Sequence, residues 1–177
     1  MSILITGSEG FLGKNFFFYL KEKTKKKIFL YNKKKTRKNL KNYIINSKYI
    51  FHFAGENRPK DKNQLKKNNE SLTKYICNII KSNNLKCRLI FSSSIHASKK
   101  TLYGISKLRT EKIILNSLKD TNAKPIILRL PNLFGKWAKP NYNSVVATFS
   151  NNIFKKKENL INNKKKINLL FIDDAIR

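Results

Sequence analysis

The sequence predicts an α/β fold in which a doubly wound parallel sheet carries helices on both faces. Three observations predict it. Short apolar runs alternate with helix-length amphipathic segments. The runs are nearly unbroken in apolar residues, as strands covered on both faces require. The first run ends in three glycines spaced three apart, Gly7, Gly10 and Gly13.

In chain order, the expected strands are Ile3–Thr6, Ile28–Tyr31, Tyr49–Phe53, Arg88–Ser92, Pro125–Leu130 and Ile167–Ile172. The expected helices are Phe11–Glu22, Asn39–Asn46, Gln64–Lys81, Tyr103–Leu118 and Ser144–Phe154. Lysine- and asparagine-rich stretches between them (Lys21 to Lys27, Lys33 to Lys41, Lys155 to Lys166) read as solvated helix ends and loops. No internal repeat is visible.

Composition narrows the function classes. With 177 residues, 40% of them hydrophobic, the chain can build a sizeable core. It has no apolar run long enough to span a bilayer, so no membrane association is expected. The start, Met1-Ser2-Ile3-Leu4, lacks a basic stretch and a cleavage site, so a cytoplasmic protein is expected. Cys77 and Cys87 lack metal-ligand spacing; they read as reduced, inert thiols, and no metal site is expected. The net charge of +29 invites a nucleic-acid reading. Yet 33 of the basic residues are Lys and only 6 are Arg, beside 23 Asn and 21 Ile. That is the product of A/T-rich codons, and Arg, the better phosphate and base reader, is not enriched. No specific nucleic-acid partner is expected.

The glycines follow a strand and open a helix. Gly7 allows the tight turn, Gly10 lets the backbone approach a pyrophosphate, and Gly13 allows close helix packing. The first helical amides, Phe11, Leu12 and Gly13, then face the phosphates. The end of the second strand in such a fold reads the adenosine ribose. Here Tyr31 runs into Asn32-Lys33-Lys34-Lys35, with no Asp or Glu, which favours NADP(H) over NAD(H). In so lysine-rich a chain the missing acid is better evidence than the lysines.

Tyr103-Gly104-Ile105-Ser106-Lys107 puts a phenol and an ammonium four apart, on one helical face. An ammonium there lowers the phenol's pKa, so that it can exchange a proton with a carbonyl or alcohol. Alone the pair is equally an ordinary solvated one. Upstream, Arg88-Leu89-Ile90-Phe91 ends in Ser92-Ser93-Ser94, hydroxyls at the carboxyl edge of the sheet or simply a turn. Glycine turn, serine edge and Tyr-x-x-x-Lys, in that order, make coincidence a poor explanation.

The Gly-x-x-Gly-x-x-Gly spacing with that set resembles the extended short-chain dehydrogenase/reductases, the NAD-dependent epimerase/dehydratase family, which have the Rossmann fold. Two further stretches, His52-Phe53-Ala54-Gly55-Glu56-Asn57-Arg58-Pro59 and Arg129 through Phe149, resemble bacterial capsular-polysaccharide enzymes that are both UDP-sugar reductases and epimerases. The resemblance covers nearly the whole chain. It implies NADPH-dependent reduction of the 4-keto group of a UDP-2-acetamido-2,6-dideoxy sugar, with an epimerising cupin domain further along the chain.

It also implies roles. Tyr103 is the general acid, Lys107 lowers its pKa and holds the nicotinamide ribose, and Ser94 orients the 4-keto oxygen. Gly7, Gly10, Phe11, Leu12, Gly13, Asn32, Lys33, Ala54, Gly55 and Pro131 line the cofactor. Asn57, Arg58, His96, Asn132, Asn143 and Ser144 stand on the substrate side. A 4,6-dehydratase would need an Asp-Glu pair where Ile95 and His96 stand, so a reductase is expected over a dehydratase. A 4-epimerase of the same superfamily and a non-catalytic nucleotide- or polyanion-binding fragment stay open as alternatives. His52 reads as packing within a strand end. Leu72, Tyr75, Ile76, Ile79, Ile113, Ile114 and Leu118 are expected to pair two copies in a homodimer. The last residues, Leu169 to Arg177, resemble a strand and an Asp-Asp helix cap well inside the family. Residues 1–177 are therefore expected to hold the NADP(H)-binding domain and only the start of the substrate lobe, leaving reduction weak.

Overall fold

The computed structural model describes residues 2–56, 69–161 and 166–177. It divides into two compact units, Met1–Arg129 and Leu130–Arg177. The first unit begins β1 (Ile3–Thr6), α1 (Phe11–Lys23), β2 (Ile28–Tyr31), α2 (Arg37–Ile45) and β3 (Tyr49–His52). It continues with α3 (Ser71–Ser82), β4 (Arg88–Ser94), a 3-10 turn (Ile95–Ser98), α4 (Leu102–Leu118) and β5 (Lys124–Leu130).

The five strands line up in the order β2-β1-β3-β4-β5. β1 pairs in parallel with β2 and β3, and β3 with β4. The chain steps outward from β1 in one direction and then turns back to fill the other side, so the winding reverses between β1 and β3. In open sheets of this kind ligands sit outside the carboxyl ends of the strands at that reversal. The register aligns Thr6 with Tyr31 and His52, and His52 with Phe91. The glycine turn, the Ala54-Gly55 loop and the serines of β4 thus leave the sheet along one edge.

The core is aliphatic. Leu4, Ile50, Leu89 and Phe91 of the sheet meet Leu40 and Ile44 of α2, Ile76, Cys77 and Ile80 of α3, and Ile114 and Leu118 of α4. On α1, Phe16 packs its ring 4.3 Å from that of Phe51. Helix starts follow their side chains. Thr36 and Asn39 form a reciprocal capping box on α2, and Thr101 accepts from the Gly104 amide on α4. Both cysteines are free and buried, and burial pushes their thiols up to about 12 and about 11, which keeps them un-ionised.

Several boundaries differ from the sequence reading. β4 does not stop at Ser92 but runs through Ser94, so all three hydroxyls are part of the strand. The outer strands are less covered than unbroken apolar runs suggested: no residue of β2 is fully buried and β5 alternates between exposed and half-buried, as edge strands do. Of the expected helix Gln64–Lys81, the first residues lie outside the described ones.

The second unit holds β6 (Asn132–Phe134), α5 (Val145–Phe154), β7 (Leu169–Phe171) and α6 (Ile172–Ile176). β6, not among the expected strands, pairs in parallel with β7. Neither Asp173 nor Asp174 caps the final helix. Phe171 occupies the cap position, and the two acids fall in the first turn, where the helix dipole favours them.

Candidate functional site

The glycine turn is built for close approach, and its glycines do different jobs. Gly7 adopts φ +69°, and a Cβ there would lie 2.7 Å from the Ala54 amide nitrogen. A Cβ on Gly13 would lie 2.3 Å from the Gly7 carbonyl oxygen, so α1 packs onto the turn itself. Gly10 is different: its Cβ would meet only the Gly7 oxygen, at 3.1 Å. Gly10 is the N-cap of α1, no side chain caps the helix there, and no acid stands in the first turn. The amides of Phe11, Leu12 and Gly13 therefore open outward as first-turn amides do. That cradle, open at Gly10 and uncapped, fits a dinucleotide pyrophosphate.

At the end of β2, Asn32 donates through its side-chain amide to Glu9 Oε1 at 2.9 Å. Lys33, almost fully exposed, pairs with Glu56 at 3.7 Å. Reading the strand end alone therefore missed a carboxylate: Glu9, brought there by the glycine turn. Its position two residues after Gly7 was the available signal.

A hydrogen-bonded chain runs behind the edge. The Ala54 amide donates to Thr6 Oγ1, which contacts His52 Nδ1 at 2.8 Å; His52 Nε2 contacts Thr73 Oγ1 at 2.9 Å. Thr73 donates to the Asn69 carbonyl, and Asn69 holds both the amide and the carbonyl of Glu56. His52 and Asn69 thus pin the loop Ala54–Glu56 from beneath. Burial, with the Lys107 charge adding, lowers His52 to about 3, so it is neutral in the fold. The unfolded chain takes up a proton below about pH 6.5 that the native chain refuses, so stability falls with acidity between those values. The loss should be roughly 1 kcal/mol per pH unit. Urea unfolding of the wild type and His52→Gln across that range checks this: the variant should show a shallower slope.

Ser94, Tyr103 and Lys107 come together at the carboxyl edge of β4. Gly104 makes the approach possible: a Cβ on it would lie 2.2 Å from the His96 carbonyl oxygen. Ser94 is buried, accepts from the His96 amide at 3.2 Å, and stands near enough to the Tyr103 hydroxyl to favour its ionised form. The His96 ring centroid lies 6.4 Å from that of Tyr103. Lys107 is buried, donates to the Ser92 carbonyl at 2.8 Å, and lies 5.8 Å from the Tyr103 ring centroid. A Cβ on Gly55 would lie 3.6 Å from the ammonium, so the β3 loop closes over it.

The electrostatics correct the expectation of a tyrosine acidified by its lysine. Burial raises Tyr103, and nearby Ser94 only offsets this. Burial also lowers Lys107, to about 8, against the opposing pull of Glu111. In this environment the phenol stays protonated at neutral pH, which suits a proton donor.

The remaining site residues lie elsewhere. Asn57 and Arg58 fall outside the described residues. Pro131, Asn132, Asn143 and Ser144 belong to the second unit. Pro131 and Asn132 are half-buried, Asn143 is exposed, and Ser144 spends its hydroxyl capping α5 through the Ala147 amide at 3.2 Å.

Comparison with known proteins gives four likenesses. The sequence matches the family described as NAD dependent epimerase/dehydratase over residues 3–177. A Pseudomonas aeruginosa protein described as UDP-2-acetamido-2,6-beta-L-arabino-hexul-4-ose reductase is 38% identical over 178 residues, covering 100% of this chain and 48% of that protein. The capsular polysaccharide assembling protein CapF of Staphylococcus aureus superposes with a TM-score of 0.84 at 32% identity, over 99% of this chain and 47% of that one. A UDP-glucose 4-epimerase from Thermotoga maritima, solved with UDP-glucose, has a TM-score of 0.82 at 21% identity, a likeness of fold alone. The chain spans about half the length of the curated relative and of CapF.

Proposed function

This chain belongs to the NAD dependent epimerase/dehydratase family, and from that premise we propose that it serves NADPH-dependent reduction of the 4-keto group of a UDP-2-acetamido-2,6-dideoxy-hexose. Such a reaction makes a precursor of a surface polysaccharide, in the cytoplasm. The observation that carries the reading is the half-buried Tyr103 beside the buried Ser94, its ring centroid 5.8 Å from the Lys107 ammonium, at the carboxyl edge of β4. The Pseudomonas relative's described activity supports the substrate class.

In this reading the first unit holds the cofactor and the second begins the substrate lobe. The turn from Gly7 to Gly13, with the amides of Phe11, Leu12 and Gly13, holds the pyrophosphate. Asn32 and Lys33 flank the 2′-phosphate, and Ala54 and Gly55 line the rest. NADPH, when bound, supplies a hydride to the carbonyl carbon. The carbonyl's π electrons move to oxygen, and Tyr103 gives that oxygen its phenolic proton. Ser94 orients the keto oxygen by donating to it, and Lys107 balances the tyrosinate left behind. Asn57, Arg58, His96, Asn132, Asn143 and Ser144 are proposed on the sugar and nucleotide side.

Loss of NADPH absorbance on adding a UDP-4-keto-6-deoxy sugar tests the reaction. Interconversion of C4 epimers without net NADPH consumption would replace the reductase with an epimerase. Fluorescence titration tests the cofactor: NADPH should bind more tightly than NADH because Lys33, Lys34 and Lys35 follow β2. Glu9 sits against Asn32, and tighter NADH binding would make that carboxylate the ribose reader instead.

We also propose a homodimer through α3 and α4. Ile76, Ile114 and Leu118 are consumed in the core of a single chain. The pairing face is therefore the half-buried set Leu72, Tyr75, Ile79 and Ile113, extended by Leu115, which is 48% exposed. Sedimentation at moderate salt should give a dimer that Leu115→Glu dissociates; a monomer at high concentration overturns it.

A further inference from the structure

One buried carboxylate ties together the three elements that carry the proposed reacting edge. Glu111 lies one turn beyond Lys107 on α4 and is 4% exposed. It accepts from Ser93 Oγ of β4, next to Ser94. It also accepts from Arg129 of β5 at two points, Nε to Oε1 at 3.0 Å and Nη2 to Oε2 at 2.7 Å. That fork is the geometry an arginine uses to fix a carboxylate in place. Lys107, one turn back on the same helix, carries its ammonium to the Ser92 carbonyl of the same strand. The carboxylate and the ammonium therefore grip consecutive residues of β4 from one helical face.

We propose that Glu111 is a positioning residue for the proposed catalytic centre, holding the Lys107 ammonium charged and seated against β4 while Arg129 and Ser93 hold Glu111 in place. The inference rests on the reductase reading only for the use made of Lys107; the placement of the two groups, one turn apart on α4 and against consecutive residues of β4, stands on geometry.

The physical need is clear. A buried ammonium facing apolar rings (Lys107 Nζ lies 4.8 Å from the Phe91 ring centroid) loses hydration and tends to shed its proton. The groups around it are few. On its own helix stand Tyr103 and Glu111. From β3 comes His52, which is neutral, and from β5 comes Arg129, which adds positive charge. Near the start of α3, Glu70 is paired with Arg109 at 3.8 Å, and Glu56 beyond β3 is paired with Lys33. Glu111 is the carboxylate that pulls Lys107 back toward the charged form. Burial would push the Glu111 carboxyl up, but the bonds from Arg129 and Ser93 and the charges of Arg129 and Lys107 hold it below its usual value. The carboxylate is thereby kept ionised beside the lysine.

The test follows the titration of Lys107 itself. Isotope-edited NMR of the lysine side chains, with Lys107→Arg identifying the resonance, gives its midpoint in the whole protein. The wild type should titrate near about 8. Glu111→Gln keeps the shape and removes the charge, so the midpoint should fall by about one pH unit. Glu111→Asp keeps the charge but withdraws it by one carbon, and should lower the midpoint by less. An unchanged midpoint in Glu111→Gln overturns the proposal, because a merely structural carboxylate would alter stability without moving it. Should Glu111→Gln fail to fold, Glu111→Asp decides: a downward shift supports the coupling and no shift overturns it. In a turning-over enzyme, the alkaline limb of kcat/KM should move the same way as the midpoint. Absence of NADPH binding or turnover in the wild type would sink the reductase reading and leave the titration result intact.

Discussion

Replacing Tyr103 by Phe should lower ketone reduction by about 100-fold or more, with NADPH affinity nearly unchanged. The substitution keeps the ring beside His96 and above the start of α4 and removes one oxygen. That oxygen carries the only proton donor on the ring. The cradle for the pyrophosphate lies on β1 and α1, so binding should survive. Single-turnover rates with NADPH and a UDP-4-keto sugar, set beside a fluorescence titration, separate the two effects. Near-normal turnover would remove Tyr103 from the proton path. Equal loss of binding would show instead that the hydroxyl serves the cofactor rather than the proton transfer.

Gly13→Ala should cost stability, not merely affinity. The added carbon would sit 2.3 Å from the Gly7 oxygen and 2.9 Å from its carbonyl carbon, both backbone atoms that cannot swing aside. Either α1 lifts off or the turn deforms. A loss of about 3 kcal/mol follows from overpacking of this kind. For a chain of this size it lowers Tm by roughly 6–12 °C. Gly10→Val provides the contrast. Its side chain meets little protein, so the cost should stay near about 1 kcal/mol, the usual penalty for a poorer N-cap. Dinucleotide binding should nevertheless be lost, because the side chain enters the open cradle. Thermal melts paired with titrations distinguish the two variants. Equal melting points for both would refute this division of labour.

The strand–helix alternation and the glycine turn were legible because both are local. Apolar runs mark β1 to β5, and glycine spacing marks the turn whatever the rest of the chain does. The Ser94, Tyr103 and Lys107 set was also legible, being two short motifs. What escaped depends on contacts between distant segments. Glu9 reaches the end of β2 only because the glycine turn bends toward it. His52 read as simple packing, yet Thr6 and Thr73, 46 and 21 residues away, occupy both of its ring nitrogens. Asn69 could not be tied to Glu56 without the loop's path. Glu111 was closest to being found, since four residues after Lys107 places it on the same helical face. Nothing local showed that it would be buried or meet Arg129. The tyrosine's expected acidification failed for the same reason, because burial is a property of the whole fold. β6 is too short to announce itself in sequence.

The placement of the acids bears on how anions would reach this molecule. The sequence has 39 basic residues and 10 acidic ones. Three of those acids, Glu56, Glu70 and Glu111, are each joined to a cation along or behind the carboxyl edge of the sheet. The scarce negative charge is thus partly silenced where a doubly charged diphosphate would arrive, while basic residues far outnumber acidic ones along the chain. A diffusing nucleotide meets an attractive field with little local repulsion at its end, so encounter should be fast in dilute buffer and slow steeply as added salt shortens the range of that field. The same field draws every other polyanion in the cell, so the nucleotide would share the surface with competitors that salt and crowding, not the site, would have to clear.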